Sequence, residues 1–317
     1  MPHLPDRADP ARETWLVTGA AGFLGSNAGL WLGDAVHRVG QVRALPAIGA
    51  YDRLVGVDLR DLAQLRAVVA DTRPNVILHT AAVSGHVTCD SDPEQAWAVN
   101  VDATRALAQA AADVGARLVY ISTDAVFSGS RGHYAEDDEP EPFSLYGETK
   151  LAGERAVQEI GGPHLIARTN FFGWSSYGQR SVLEFFVNAL RAGQPVKGYP
   201  DVVVTSMYVS HLLQAVWDLT RIEADGLVHV ASSDALSKHD FGVAVAEVFG
   251  LDTALITPEA APVGAPGVFR SRDISLDTSR LASLLGHEAP TQVDGIRAAQ
   301  QDEASVGAAL RALEPTD

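Results

Sequence analysis

Tyr146 and Lys150 stand four apart in LYGETKLAGERAV, and Thr123 lies upstream in YISTDAVF. On a helix, positions i and i+4 share a face. A phenol titrating near about pH 10 is a poor acid or base at neutral pH, but an adjacent ammonium stabilises the phenolate and lowers that pKa. Such a tyrosine can give a proton to a carbonyl oxygen while a hydride reaches the carbonyl carbon. Thr123, ending an apolar run read as a strand, would bond the same oxygen, because open α/β sheets bind ligands at the carboxyl ends of their strands. Asn100, in AVNVDAT, is a candidate for bonding helix backbone or water behind Lys150.

Hydride chemistry needs a carrier, and WLVTGAAGFLGSN supplies the place for one. An apolar strand, the triplet Gly19, Gly22 and Gly25, and an amphipathic helix follow one another directly. Glycine permits positive φ and close backbone approach, so a dinucleotide pyrophosphate can sit on free N–H groups at the helix N-terminus, favoured by the helix dipole. The base of the carrier is read near the end of the second strand, where an acid bonds ribose hydroxyls and a cation accepts a 2′-phosphate. VHRVGQVRAL contains no acid, and its best-placed cation is Arg43. NADP(H) is therefore expected, with NAD(H) left open. Asp58, closing LVGVDL, is a candidate for the adenine amino group.

The elements that must position these residues are legible as short Val/Ile/Leu runs alternating with Ala-rich amphipathic stretches, the pattern of repeated βαβ units. Strands are expected at 15–18, 38–43, 54–57, 76–80, 118–122 and 165–168. Helices are expected at 22–32, 62–71, 93–114 and 145–159. Past Gly173 the alternation loosens, with helices at 182–192 and 208–220, a strand at 227–231 and a Pro/Gly-rich loop at 262–267. The expectation is an α/β, Rossmann-type doubly wound parallel sheet over residues 13–173, with a smaller substrate-binding portion over 174–317 that returns to the sheet at about 207–231. The acidic cluster Glu136, Asp137, Asp138, Glu139 and Glu141, flanked by Pro140 and Pro142, reads as a solvated loop.

A chain of 317 residues, 46% hydrophobic, can bury a full core. Its formal net charge of −16 opposes binding to nucleic acid or anionic lipid. Cys89 is the single cysteine, so no intrachain disulfide can form, and a reducing cytoplasm fits best. No apolar run has signal-peptide or membrane-spanning length, and residues 1 to about 12 read as a loose leader. Other chemistries score poorly. GWSSYG is one residue too long for a nucleophile elbow, and His79 and His86 lack the spacing of a zinc helix, so no metal is expected. His79 follows VIL in a buried strand and is expected to be a satisfied core residue.

Together these residues resemble the extended short-chain dehydrogenase/reductases, in particular the dTDP-4-dehydrorhamnose reductase family. The landmarks are VTGAAGFLG, RPNVILHTAA, AVNVDAT, YISTDAVFSG, YAEDDEPEPFSLYGETKLAGE, GLVHVASSDALSKHDF and FRSRDISLDTSRL, spread over nearly the whole chain. The resemblance implies a reductase that passes the hydride of NADPH to C4 of a nucleotide-linked 4-keto-6-deoxy sugar, with Thr123, Tyr146 and Lys150 as the working trio. It adds Phe23, Leu24, Leu59, Ala81, Ala82 and Asn100 to the cofactor contacts. On the substrate side it implies Ser84, His86, Asp124, Phe127 and Arg270, with Arg270 meeting a phosphate. It also suggests a homodimer through the helices at 93–114 and 146–159. The chain departs from the reductase pattern at Phe23-Leu24, His86-Val87, Ala125 and Arg270-Ser271. Two alternatives follow: a nucleotide-sugar epimerase or dehydratase, and a non-catalytic NADP(H)-binding regulatory subunit like the methionine adenosyltransferase β subunit.

Overall fold

A computed structural model describes residues 12–45, 50–262 and 272–313. TWLVT forms β1 (Thr14–Thr18) and turns directly into α1 (Phe23–Leu32). Next come β2 (His37–Val42), β3 (Arg53–Gly56), α2 (Leu62–Thr72) and β4 (Val76–His79). The short helices α3 (His86–Ser91) and α4 (Pro93–Trp97) lead through a π-helical turn at Ala98–Asp102 into α5 (Ala103–Val114). The stretch expected as one helix is thus interrupted. The π turn places Asn100 inward, where its amide bonds Val83 and Thr149 and its carbonyl accepts from Thr104.

Strand β5 (Arg117–Thr123), α6 (Leu145–Ile160) and β6 (His164–Phe172) complete the first half. The strands run parallel in the order β3-β2-β1-β4-β5-β6, the Rossmann order. Both faces are covered, so inward residues alternate between two cores. Trp15 and Val17 join one core with α1, while Leu16 joins Ile77, Leu107 and Tyr120 in the other. Trp15 also stacks on Trp217 at 5.5 Å between centroids.

The remaining chain forms α7 (Val182–Arg191), β7 (Val196–Gly198), β8 (Val203–Val204), β9 (Ser206–Tyr208), α8 (Val209–Arg221) and β10 (Gly226–His229). It then forms β11 (Leu236–Ser237), α9 (Lys238–Phe249), β12 (Ile256–Pro258), α10 (Ser279–Leu285), α11 (Gln292–Asp302) and α12 (Ala308–Arg311). Both β9 and β10 pair with β6, β10 along Leu165–Arg168 and β9 along Asn170–Phe172. This double pairing extends the sheet and carries the later chain over the carboxyl ends of the strands. The acidic cluster is a loop, as expected, with Asp137, Glu139 and Glu141 exposed, but two of its acids are tied to neighbouring groups. Glu136 accepts the backbone N–H of His229 at 2.9 Å, and Asp138 accepts that of Ala135 at 2.7 Å and pairs with Arg131.

Candidate active site

A cleft of about 870 Å³ opens over the carboxyl ends of the strands, between the glycine turn and the later chain. The turn builds one end of it. Gly19 takes a φ of +67°, its N–H is accepted by Gln41 Oε1 at 3.0 Å, and a Cβ there would lie 2.9 Å from the Ala81 backbone. No side chain caps α1. Its first-turn N–H groups are thus left for an anion, as the pyrophosphate reading requires. Gly22, Phe23, Leu24, Leu59, Ala81 and Ala82 line this end.

Arg43 also lines the cleft and is exposed. Asp58 enters it already gripped by Arg60, a residue that sequence reasoning missed, through bonds of 2.9, 3.0 and 2.6 Å. Those bonds hold the Asp58 carboxyl down at about 2. Arg60 follows Asp58 by two residues, so the signal was an arginine within reach of a strand-end acid.

At the other end, Ser144 caps α6 by accepting the N–H of Gly147 at 3.2 Å, which starts the helix just before Tyr146. A Cβ on Gly147 would lie 2.2 Å from the Ala125 carbonyl oxygen, so glycine is what lets this first turn approach the end of β5. The approach brings the Tyr146 phenol to the Thr123 hydroxyl in the lining of the cleft. Thr123 Oγ1 in turn donates to Asp124 Oδ1 at 3.0 Å and accepts the N–H of Ala125 at 3.1 Å. Burial raises the Tyr146 pKa, against the Thr123 hydrogen bond that lowers it.

The expected depression of Tyr146 by Lys150 is therefore absent from this geometry. The lysine ammonium instead donates to the Ile121 carbonyl at 2.7 Å and lies over the Tyr120 ring. A phenol kept neutral is the proton-bearing form that reduction of a carbonyl needs.

Asn100 and Phe127 correct two expectations. Asn100 stands behind the wall, its oxygen accepting the Val83 N–H at 2.8 Å and its nitrogen donating to the Val83 carbonyl and Thr149. Thr149 passes the link on to the Tyr146 carbonyl at 2.9 Å, so Asn100 holds the wall and the trio's helix together. Phe127 is turned into the core, stacked on Tyr134 at 4.2 Å. Gly25 is also behind the wall, packed on Gly19. Arg270 and most of the 262–267 loop lie outside the described residues.

Ser84, His86 and Asp124 do line the cleft. They are joined there by Asn170, Arg180, Ser206 and Lys238, none of which sequence reasoning singled out. Asn170 Nδ2 donates to Asp124 Oδ2 at 2.8 Å. Burial pushes Asp124 up to about 6 and Lys238 down to about 8, each opposed by polar or charged neighbours. His79 is satisfied as expected. Thr104 spends its hydroxyl proton on the Asn100 carbonyl, so His79 Nε2 must donate to Thr104 while Nδ1 accepts from Thr18. Among the described residues no cluster could hold a metal, and no helix is long and apolar enough to cross a membrane.

Asp124 makes a stability prediction. An acid whose pKa is higher folded than unfolded costs stability above that window and nothing below it. The rise from 3.8 to about 6 corresponds to about 3 kcal/mol at neutral pH. Asp124→Asn should raise the melting temperature at pH 7.5, and most of the gain should be gone at pH 4, close to the unfolded pKa of 3.8. A gain that persists at pH 4 would assign the effect to packing.

The chain belongs to the RmlD substrate binding domain family, which matches residues 13–304. A probable low-salt glycan biosynthesis reductase of Haloferax volcanii is 32% identical over 296 residues, 89% of this chain and 95% of its own length. Methionine adenosyltransferase 2 subunit beta of Pongo abelii is 31% identical over 297 residues, 88% of this chain and 84% of its own. Among solved structures, a dTDP-4-dehydrorhamnose reductase from Bacillus anthracis in complex with NADP shares the fold with a TM-score of 0.79. It is 24% identical, over 92% of this chain and 99% of that one.

Proposed function

We propose that this protein is a cytoplasmic NADPH-dependent oxidoreductase of the short-chain dehydrogenase/reductase type that reduces a nucleotide-linked 4-keto-6-deoxy sugar. The observation that carries the reading is one cleft lined both by an uncapped glycine turn and by Thr123, Tyr146 and Lys150. Residues 13–173 then hold the cofactor, and residues 174–317 close the substrate's side of the cleft with Arg180, Ser206 and Lys238, facing Ser84, His86 and Asp124. A relative named as a reductase and a structural neighbour carrying NADP support the same assignment.

NADPH, when bound, supplies the hydride. The glycine turn would hold its pyrophosphate, and Arg43, with Arg60 beside it, would meet the 2′-phosphate. Thr123 orients the sugar carbonyl, and the Tyr146 O–H gives its proton to the oxygen as the carbon is reduced. The resulting phenolate regains a proton from water. Lys150 stabilises that phenolate when its ammonium turns from the Ile121 carbonyl toward the cleft. Arg180 and Lys238 place positive charge where the substrate's diphosphate would lie.

The test is NADPH consumption by the purified protein with a nucleotide-linked 4-keto-6-deoxyhexose generated in the same tube. Sugar-dependent loss of NADPH is expected. Tight NADPH binding without consumption would favour the regulatory reading, which the methionine adenosyltransferase likeness over 88% of the chain keeps in play. Arg43→Ala should raise KM for NADPH by about tenfold or more, the scale of one lost charge-assisted contact, and leave KM for NADH nearly unchanged. Equal effects on both would show that Arg43 does not read the phosphate.

A further inference from the structure

Lys150 is 2% exposed, and neither group its ammonium touches carries a full charge. Nζ donates to the Ile121 carbonyl at 2.7 Å and lies 3.9 Å from the Tyr120 ring centroid. Burial alone favours loss of the proton. One turn along α6 stands Glu154, 1% exposed, whose charge opposes that loss.

Glu154 is itself fixed from two strands. Arg168 of β6 donates to its carboxylate through Nε at 3.0 and 3.2 Å and through Nη2 at 2.7 Å. Ser122 of β5 donates through Oγ at 2.5 Å. A buried ion pair of this kind contributes little to stability over an apolar pair of the same shape, because two desolvation costs offset the attraction. At Lys150 the two ions act with opposite signs, and the carboxylate, one turn away on the lysine's own helix, is the one that favours the ammonium.

Among the described residues, the other groups named against this chamber do not supply a counter-charge. His79 of β4 is neutral, held with its proton on Nε2, and α5 presents the uncharged Thr104 hydroxyl. Tyr120 of β5 is raised far above its ordinary pKa by burial and so stays a neutral phenol. His229 of β10, beside Arg168, donates from Nδ1 to the Asp277 carbonyl and is kept neutral by burial. Tyr146, on the same helix, is neutral too, and Asp124 beside Thr123 belongs to the cleft, where Lys238 faces it.

We propose that Glu154 is the counter-charge that keeps Lys150 an ammonium, with Arg168 and Ser122 fixing the carboxylate and the Tyr120 ring seating the cation. Glu154 is a positioning residue, since it acts through Lys150 and does not line the cleft. What the ammonium then does for turnover rests on the function proposed above, whereas its ionisation does not.

The chain has three lysines, Lys150, Lys197 and Lys238, so protein labelled with ¹³C at lysine Cε gives three assignable signals. Each is titrated by NMR without cofactor or substrate. The Lys150 midpoint, about 7 in the native protein, should fall by about one pH unit or more in Glu154→Gln, a tenfold loss of ammonium at a fixed pH above it. Glu154→Asp should restore part of the shift. If Glu154→Gln leaves Arg168 too poorly paired to fold, Glu154→Gln with Arg168→Met removes both ions, and the Lys150 midpoint should still fall, by less than in the single variant, because the repulsion from Arg168 goes with the attraction of Glu154.

An unmoved Lys150 midpoint in a folded variant, even one with a lower Tm, overturns the proposal and leaves Glu154 a structural cross-link. Full turnover by Lys150→Ala would instead defeat the proposed role of Lys150 in catalysis, with the titration result standing. The pH profile adds a second readout. The loss of kcat as pH rises should begin at lower pH in Glu154→Gln than in the native enzyme.

Discussion

Tyr146→Phe should lower kcat by about a hundredfold to ten-thousandfold, the range that one positioned proton donor supplies. NADPH binding should change by no more than about twofold. The substitution deletes one oxygen. The ring keeps its edge contact with His86, at 6.1 Å between centroids, and its place after the Ser144 cap. What is lost is the proton that burial holds on the phenol and the link to Thr123. Fluorescence titration with NADPH and steady-state kinetics on the same preparation separate the two quantities. A variant with native kcat would remove Tyr146 from the chemistry and leave water or Asp124 as the donor. Weak binding with a normal kcat would make the phenol a cofactor contact only.

The strands carrying this machinery were readable because parallel strands buried on both faces appear as unbroken apolar runs, as in TWLVT and RLVYIST. Their helices were readable from Ala-rich amphipathic periodicity, although periodicity alone did not reveal the π turn that sets Asn100 inward. The later chain was harder. Helix α9 carries Gly242 in its middle, and β7, β8, β11 and β12 are two or three residues long, too short for any period to show.

The site divides in the same manner. Gly19, Tyr146 and Lys150 announce themselves by local spacing. Arg180, Ser206 and Lys238 come from three separate segments, and only the double pairing of β6 brings them over the strand ends. Phe127 misled because aromatic residues near a strand end serve cores as readily as clefts, and here the Tyr134 ring claims it. The Tyr146–Lys150 spacing identified the pair but not the lysine's resting contact, which depends on the Ile121 carbonyl and Tyr120 ring of a different element.

Gly25→Ala should weaken NADPH binding by about tenfold to a hundredfold while the protein still folds. A Cβ at Gly25 would lie 2.1 Å from the Gly19 oxygen, 2.8 Å from the Gly19 carbonyl carbon and 2.9 Å from the Ala20 Cα. All three are backbone atoms of the turn, so no rotamer can relieve the contact and the turn itself must open. Overpacking of this kind costs about 1–3 kcal/mol, and the same displacement moves the N–H groups that would meet the pyrophosphate.

Gly33→Ala is the control, at the opposite end of α1. Its φ of +49° makes any side chain strained, yet a Cβ there would meet nothing within 4 Å. It should lower the melting temperature and leave the NADPH dissociation constant unchanged. Equal binding by the Gly25→Ala and native proteins would place the pyrophosphate elsewhere in the cleft. Equal losses in both glycine variants would mean that binding reports only the stability of α1. A loss confined to Gly25→Ala ties cofactor capture to the closeness of the turn, because the two variants burden the same helix and differ in which backbone atoms they displace.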